Sequence, residues 1–198
     1  ATALALCGLL TAGLAAGPAA AATTGPASTA GTAAAHAATG PASTAAAPAT
    51  TKQRRSPAAR SRHKAAKLLV RINAARASAR RCGGTRYPAA KALRPNRKLD
   101  RAAYRHAKDM ARHDYFSHTG RNGSDPTERA RAVGYRSGVG ENIAAGYGTV
   151  GAVVKGWLRS PGHCSNIMSR QYRHLGSGYR ATSSATYGSY WVQDFGVG

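Results

Sequence analysis

Acidic residues are scarce in this chain and are missing from its first half. Its 198 residues include 7 Asp and Glu against 29 Lys and Arg, which gives a formal net charge of +22. The segment Lys52–Lys98 alone carries 16 basic residues and no acid. Such a run attracts polyanions in general, among them acidic cell-envelope polymers, anionic lipid headgroups and nucleic acid. No nucleic-acid-binding motif accompanies the charge, so we expect envelope polymers rather than nucleic acid, or else a solvated tether without a partner.

Aromatic residues are absent from residues 1–60, which consist mainly of Ala, Thr, Gly, Pro and Ser. The segment TGPASTA occurs twice there, at residues 24–30 and 39–45. This composition cannot bury enough apolar area to offset the entropy of the chain, so we predict a disordered segment over residues 23–61 that becomes basic toward its end. The remaining residues, 62–198, have the size of one folded domain.

Long hydrophobic runs are missing as well. Residues 1–17 are apolar and uncharged, but the run is too short and too rich in alanine to cross a membrane. Small residues of the A-x-A type follow at 19–22, as at a signal-peptidase site. We therefore predict a secretory signal peptide at residues 1–22, whose positively charged start lies upstream, and a secreted or envelope-associated protein without a transmembrane span. A lipoprotein signal at Cys7 is the alternative, which Leu6 disfavours.

Contiguous catalytic motifs are also absent. The chain has neither the H-E-x-x-H pair of many zinc enzymes nor the G-x-S-x-G turn of serine hydrolases. A serine hydrolase of this type is therefore disfavoured.

Two amphipathic helices and one short helix are predicted before residue 135. A helix over Arg62–Arg81 ends before Gly83-Gly84, and its apolar stripe consists of Leu68, Leu69, Ile72, Ala75 and Ala79. A second helix over Lys98–His113 points four residues inward, namely Leu99, Ala103, Ala107 and Met110. A capping box of Asp125 and Glu128 starts a short helix that ends near Gly134.

The stretch Gly156–Met168 joins two further helices. The helix before it carries an apolar stripe at helical spacing, formed by Val150, Val153, Val154, Trp157 and Leu158. Ser160-Pro161 is a helix-start signal in which Ser caps free N–H groups and Pro takes the first helical position. His163 then lies in the first turn, directly before Cys164. The C-terminal part is predicted to form a β-hairpin of residues 175–181 and 190–195.

Five motifs together resemble the bacterial branch of the CAP superfamily, the cysteine-rich secretory, antigen 5 and pathogenesis-related proteins. They are FSHTG, GENIA, a helix that ends in GW, SPGHCSNIM and YWVQDFG, in this order between about residues 65 and 198. The resemblance implies an α+β fold, an α-β-α sandwich with a small antiparallel sheet between helices. It also implies secretion and a cleft lined by two histidines and acidic residues. The matching positions are His118, Glu141 and His163, which we call the cleft residues.

A divalent metal ion is the cofactor that such a cleft could hold. Two neutral imidazoles, here His118 and His163, can bind Zn²⁺ or a similar ion, and Glu141 could orient an imidazole or act as base for a bound water. No cofactor follows with certainty, because this chain lacks the second Glu that many eukaryotic family members carry shortly after the tryptophan of the penultimate helix. Here Leu158, Arg159 and Ser160 follow Trp157, and without that carboxylate hydrolysis is disfavoured.

Three functions therefore remain open. The leading hypothesis is a monomeric, non-catalytic or weakly metal-dependent extracellular domain that binds a small or lipid-like ligand in the cleft. The first alternative is a divalent-metal hydrolase with Glu141 as the base. The second alternative is a wall-associated protein that holds anionic polymers through its basic tether.

Cys82 and Cys164 are the two cysteines of the predicted domain. In an exported protein such a pair indicates a disulfide, which would tie the first helix to the helix that carries His163. The alternative is a Cys164 nucleophile activated by His163. Adjacent residues on a helix point about 100° apart, so that pairing is geometrically poor.

Overall fold

The computed structural model describes residues 55–198, and five helices and six strands follow one another there. In chain order they are α1 Pro57–Arg76, β1 Arg80–Cys82, β2 Thr85–Tyr87, β3 Arg94–Pro95, α2 Arg97–His113, α3 Pro126–Arg131, β4 Val139–Ala145, α4 Val150–Arg159, α5 Pro161–Met168, β5 Tyr172–Ala181 and β6 Ser189–Val197. The predicted signal peptide and most of the predicted disordered segment lie outside the described residues. No helix among residues 55–198 is both long enough and apolar enough to cross a membrane.

Helix α1 differs from its prediction at both ends. It begins at Pro57 rather than Arg62, because Ser56 accepts a hydrogen bond from the Ala59 N–H at 3.2 Å and Pro57 occupies the first turn. Residues 57–61, predicted to be disordered, are therefore helical. At the other end α1 stops at Arg76 and not Arg81.

The residues beyond α1 form a β-hairpin instead of a last helical turn. Strands β1 and β2 pair in antiparallel fashion, and Gly83, with φ of 60°, lies in the turn between them. Ala79, predicted to be part of the apolar stripe, is exposed, whereas Leu68, Ile72 and Ala75 are buried as predicted. Cys82 is thus a hairpin residue, and its disulfide does not attach to the first helix.

Helix α2 confirms its prediction closely. Asn96 caps it, with its side-chain oxygen accepting from the Lys98 and Leu99 N–H groups at 3.0 and 3.2 Å. All four residues predicted to point inward are buried, namely Leu99, Ala103, Ala107 and Met110. The capping box at Asp125 is also present, and starts α3.

The central sheet has four strands in the order β3-β5-β6-β4. The predicted C-terminal hairpin is confirmed as β5 and β6, and β4 adds to β6 in antiparallel fashion. The two-residue strand β3 pairs with β5 in parallel, so one edge departs from a purely antiparallel sheet. Strand β4 carries the GENIA motif, which places Glu141 opposite Asp194 of β6.

Helices cover both faces of the sheet, which confirms the α-β-α sandwich. On one face α1, α4 and α5 pack onto Trp191 and Phe195 of β6 in the larger apolar cluster. On the other face α2 packs onto Ile143 of β4 and onto Tyr190 and Val192 of β6. Successive residues of a strand point to opposite faces, which explains why adjacent residues of β6 serve different cores.

We predict that Gly178→Ala lowers the free energy of unfolding by about 1–3 kcal/mol, the usual cost of overpacking. Gly178 lies on β5 beneath α2, and a Cβ atom there would collide with the α2 backbone at Ala103 and Tyr104. Gly84→Ala is the matched control, because nothing lies within 4 Å of a Cβ at Gly84. Urea unfolding measures both variants, and equal midpoints for the two would contradict the close approach of α2.

Candidate functional site

Glu141 is the centre of the candidate site. Its side chain is 1% exposed, and each carboxylate oxygen accepts one short hydrogen bond. His118 Nδ1 lies 2.7 Å from Oε1, and Arg129 Nη2 donates to Oε2, also at 2.7 Å. Two of the three cleft residues are therefore in direct contact, although 23 positions separate them in the sequence.

Arg129 is a residue of the candidate site that the sequence analysis did not identify. It lies on α3, one residue after the capping-box residue Glu128, and its side chain is 12% exposed. Besides Glu141, its guanidinium donates to the carbonyls of His118 and Ser124 at 2.9 and 2.7 Å. Arg129 thus compensates the buried carboxylate and holds the loop that carries His118. The capping box predicted α3, but no signal in the sequence showed where the next side chain would point.

His118 presents its second ring nitrogen to solvent. Because a carboxylate oxygen only accepts, the contact with Glu141 places a proton on His118 Nδ1. The Nε2 atom is then available to a ligand, and the side chain is 52% exposed. This is the orientation in which a carboxylate fixes the tautomer of an imidazole.

His163 lies in the first turn of α5, as predicted, but the turn is started differently. Pro161 occupies the first position, whereas the Ser160 side chain makes no capping hydrogen bond. Instead, amide side chains dock the helix onto β4. Asn142 donates to the His163 carbonyl at 3.1 Å, and Asn166 donates to the Glu141 carbonyl at 3.2 Å. These two asparagines, also missed, connect the chain segments of His163 and Glu141.

We predict that the pKa of His163 rises toward its ordinary value in the variant His118→Gln. Burial lowers the pKa of His163 first, and the charge of His118 lowers it further. Removing one of the two causes should leave only the effect of burial. Titration of the His163 ring by NMR measures the change, with His113→Gln as a control. An unchanged pKa would mean that the two imidazoles are not close enough to interact.

Two buried groups lie behind Glu141. Asp194 is its cross-strand partner and is 2% exposed, and burial, followed by the charge of Glu141, raises the pKa of Asp194 well above its ordinary value. Its Oδ1 has no hydrogen-bond partner among residues 55–198. His106 of α2 donates from Nε2 to the Ser117 carbonyl at 2.9 Å, and burial lowers the pKa of His106. The surroundings of Asp194 and of His106 each favour the uncharged form of that side chain. Arg129 therefore supplies the fixed positive charge that faces Glu141.

The donor set suits at most a weakly held metal ion. Within residues 55–198 no group of three or more His, Cys, Asp or Glu side chains is arranged to hold one. His118 and His163 would provide two nitrogens, whereas catalytic zinc sites usually have three protein ligands. Glu141 is already engaged by Arg129. A bound ion would act as a Lewis acid whose remaining positions are filled by water or ligand.

The proposed cysteine nucleophile is contradicted. Cys164 is bonded to Cys82 with their Cα atoms 5.4 Å apart, as predicted for the disulfide. Both residues are buried, at 0% and 5% exposure. A sulfur in a disulfide has no thiolate to offer, so His163 cannot activate it.

Comparisons with known proteins agree with this architecture. The sequence model of a family described as "CAP: Cysteine-rich secretory protein family" matches residues 69–195. Two Bacillus subtilis (strain 168) proteins are similar: the uncharacterized protein YkwD, 35% identical over 107 residues, and the uncharacterized membrane protein YlbC, 37% identical over 78 residues. The matches cover 53% and 38% of this chain but only 39% and 22% of those relatives.

A solved structure shares the fold. The crystal structure of an extracellular protein containing an SCP domain from Bacillus anthracis strain Ames has a TM-score of 0.57 and 24% sequence identity. The likeness covers 72% of this chain and 43% of that one.

Proposed function

This chain belongs to the cysteine-rich secretory protein (CAP) family, and we propose that its cleft residues form a non-catalytic site for a small or lipid-like ligand at the cell envelope. The cleft residues are His118, Glu141 and His163. One observation carries the proposal, namely that both oxygens of Glu141 are engaged by His118 and Arg129 at 2.7 Å in a buried position.

A carboxylate held in this way is a poor general base. A general base must reach a water molecule, but the Glu141 side chain is 1% exposed and each of its oxygens already accepts a charge-assisted hydrogen bond, worth about 1.5–3 kcal/mol. Arg129 therefore favours a positioning role for Glu141, in which the carboxylate orients His118 and leaves Nε2 to the ligand.

The ligand chemistry follows from what the site exposes. The imidazole of His118 is half exposed, and His163 is partly buried with a lowered pKa that favours its neutral form. Two imidazole rings offer hydrogen bonds and apolar ring surface, which suits a small molecule with both polar and apolar parts. Screening a fluorinated fragment library by fluorine NMR tests this. We expect hits that are lost in both His118→Ala and His163→Ala; hits that persist in both variants would place binding elsewhere and contradict the proposal.

Metal-dependent hydrolysis is the competing function, and zinc titration separates the two. The hypothesis of a non-catalytic site predicts weak or undetectable binding of Zn²⁺ in isothermal titration calorimetry, because His118 and His163 are the only two imidazoles of the cleft. Micromolar binding that disappears in His163→Ala would instead support the hydrolase. His174→Ala is the control for imidazoles outside the cleft.

Secretion is part of the same proposal. It is supported by the apolar run at residues 1–17 with its A-x-A-type site, by the disulfide, and by likeness to a protein described as extracellular. The Bacillus anthracis neighbour is much longer than the matched region, so its own activity does not transfer.

The basic tether remains a second candidate for wall retention, supported by the 16 basic residues of Lys52–Lys98. A test by deletion is unsuitable, because part of this segment belongs to helix α1 of the folded domain. Ser61 of α1 is buried and accepts a hydrogen bond from the Tyr179 N–H at 3.0 Å. Deleting residues 52–64 would therefore damage the fold. Replacing Lys52, Arg54 and Arg55 by Ser keeps α1, and reduced retention on cell walls at low salt is the expected result.

A further inference from the structure

Helix α2 carries a row of basic side chains along its outer surface. The row, which we call the α2 basic face, consists of Arg97, Arg101, Arg105, Lys108 and Arg112. At 100° per residue these positions fall within an arc of about 80°, opposite the buried side of the helix. All five residues are exposed.

No acidic partner neutralises this face. The ion pairs formed within residues 55–198 are His113–Asp109, His118–Glu141 and Arg129–Glu141, and none of them includes a residue of the face. The acids of α2 itself are used elsewhere. Asp100 accepts from the Ser177 N–H at 2.8 Å, and Asp109 accepts from the Tyr115 hydroxyl at 2.6 Å. Like charges three or four residues apart on a helix repel one another and destabilise it, and a bound polyanion would relieve that repulsion.

The basic surface continues onto α1. A groove of about 1000 Å³ lies between α1 and α2, and Arg62 of α1 lines it together with Arg97 and Arg101. Its other walls include Ala65, Leu69 and Tyr104. Fixed positive charge therefore runs from the edge of α1 along the length of α2, about 22 Å from Arg97 to Arg112.

An elongated charge pattern fits a linear polyanion. The exposed large hydrophobic residues of the described chain are Val70, Phe116 and Tyr187, and none lies on α2. Tyr104, half-buried in the groove wall, is the one Tyr, Phe or Trp of α2, so the face lacks the row of aromatic side chains on which successive nucleic-acid bases stack. Val70 is the one exposed large apolar residue that lines the groove, whereas a helix that inserts into a bilayer presents a whole apolar face. We propose that the α2 basic face binds a linear polyol-phosphate polymer through its phosphodiester charges. The face contains none of the cleft residues and does not require residues 52–56.

Charge removal on the full chain tests the proposal with a synthetic poly(glycerol phosphate) oligomer as the probe. We expect the triple variant Arg101→Ser/Arg105→Ser/Arg112→Ser to bind at least about tenfold more weakly at low salt. The slope of log affinity against log salt should become shallower by about 2, since each phosphate contact on a flexible chain contributes about 0.7. Fluorescence anisotropy of the labelled oligomer measures both quantities.

A second triple variant controls for net charge. Lys155→Ser/Arg159→Ser/Arg170→Ser removes three exposed charges from the side of α4 and α5. We expect it to retain nearly all of the affinity. If the two triple variants lose the same amount of affinity, the effect depends on net charge alone and the proposed site is wrong. The proposal is also overturned if the α2 variant binds with wild-type affinity. Tighter binding of a single-stranded DNA of matched charge would show that the polymer class is wrong. Thermal melting checks that both variants are folded.

Discussion

Replacing Arg129 by Met is expected to lower the free energy of unfolding at neutral pH by about 3–5 kcal/mol, the usual cost of leaving a buried charge without its partner. Glu141 is 1% exposed and keeps only His118 as a direct partner when the guanidinium is gone. Met has a similar length and is apolar, so the main change is electrostatic. The loss should shrink as the pH is lowered, because protonation of the stranded carboxylate removes the uncompensated charge. Urea unfolding at several pH values measures it.

The double variant Arg129→Met/Glu141→Gln separates this electrostatic effect from lost hydrogen bonds. Arg129 also donates to the carbonyls of His118 and Ser124, and these bonds are absent in both variants. If the stranded charge dominates, the double variant should be more stable than Arg129→Met alone. If the double variant loses at least as much free energy of unfolding as Arg129→Met and Glu141→Gln lose together, the arginine serves mainly to hold the loop. Glu141 would then be free for another role, including that of a base.

Removing the disulfide is the second large effect. Cys82→Ala/Cys164→Ala is expected to lower the free energy of unfolding by about 4.5 kcal/mol, because the bond closes a loop whose ends are 82 positions apart. The bond also anchors α5 to the β1–β2 hairpin, directly beside His163 in the sequence. We therefore expect weaker ligand binding in the cleft as well as a lower urea midpoint.

A Cys7→Ala background keeps the third thiol from exchanging with the pair. Reduction of the parent protein should reproduce the shift of the double variant. If the free energies of unfolding of the parent protein, the reduced parent and the double variant agree within about 1 kcal/mol, the cross-link constrains the unfolded chain far less than the loop length implies.

Elements with strong local patterns were predicted correctly. Helix α2 was predicted within one residue, since its cap, its apolar period and its length agree. The hairpin of β5 and β6 was predicted from alternating and aromatic residues, and the capping box at Asp125 marked the start of α3. In each case the local preference and the packed structure favour the same conformation.

Helix α1 shows where local patterns fail. Residues 77–81 have a helical composition, but the helix ends at Arg76, whose side chain is buried. Its guanidinium donates to the carbonyls of Ile167 and Ser169 at 2.6 and 2.8 Å, and Cys82 is bonded to Cys164. These contacts lie about 90 residues away in the chain, so no local window could reveal them.

The amino-acid sequence by itself determined the family, through motifs that each span a few residues, and it predicted the cysteine pair. The sandwich of helices around a sheet and the choice of His118, Glu141 and His163 as cleft residues followed from the resemblance to that family; the structure confirms the sandwich, and the cleft stays a prediction. The tertiary structure alone decided that Arg129 engages Glu141, that Asp194 lies opposite Glu141, and that no ion pair within residues 55–198 includes a residue of the α2 basic face. Such contacts depend on how separate elements are oriented against each other, and that orientation results from packing the whole core rather than from any one segment.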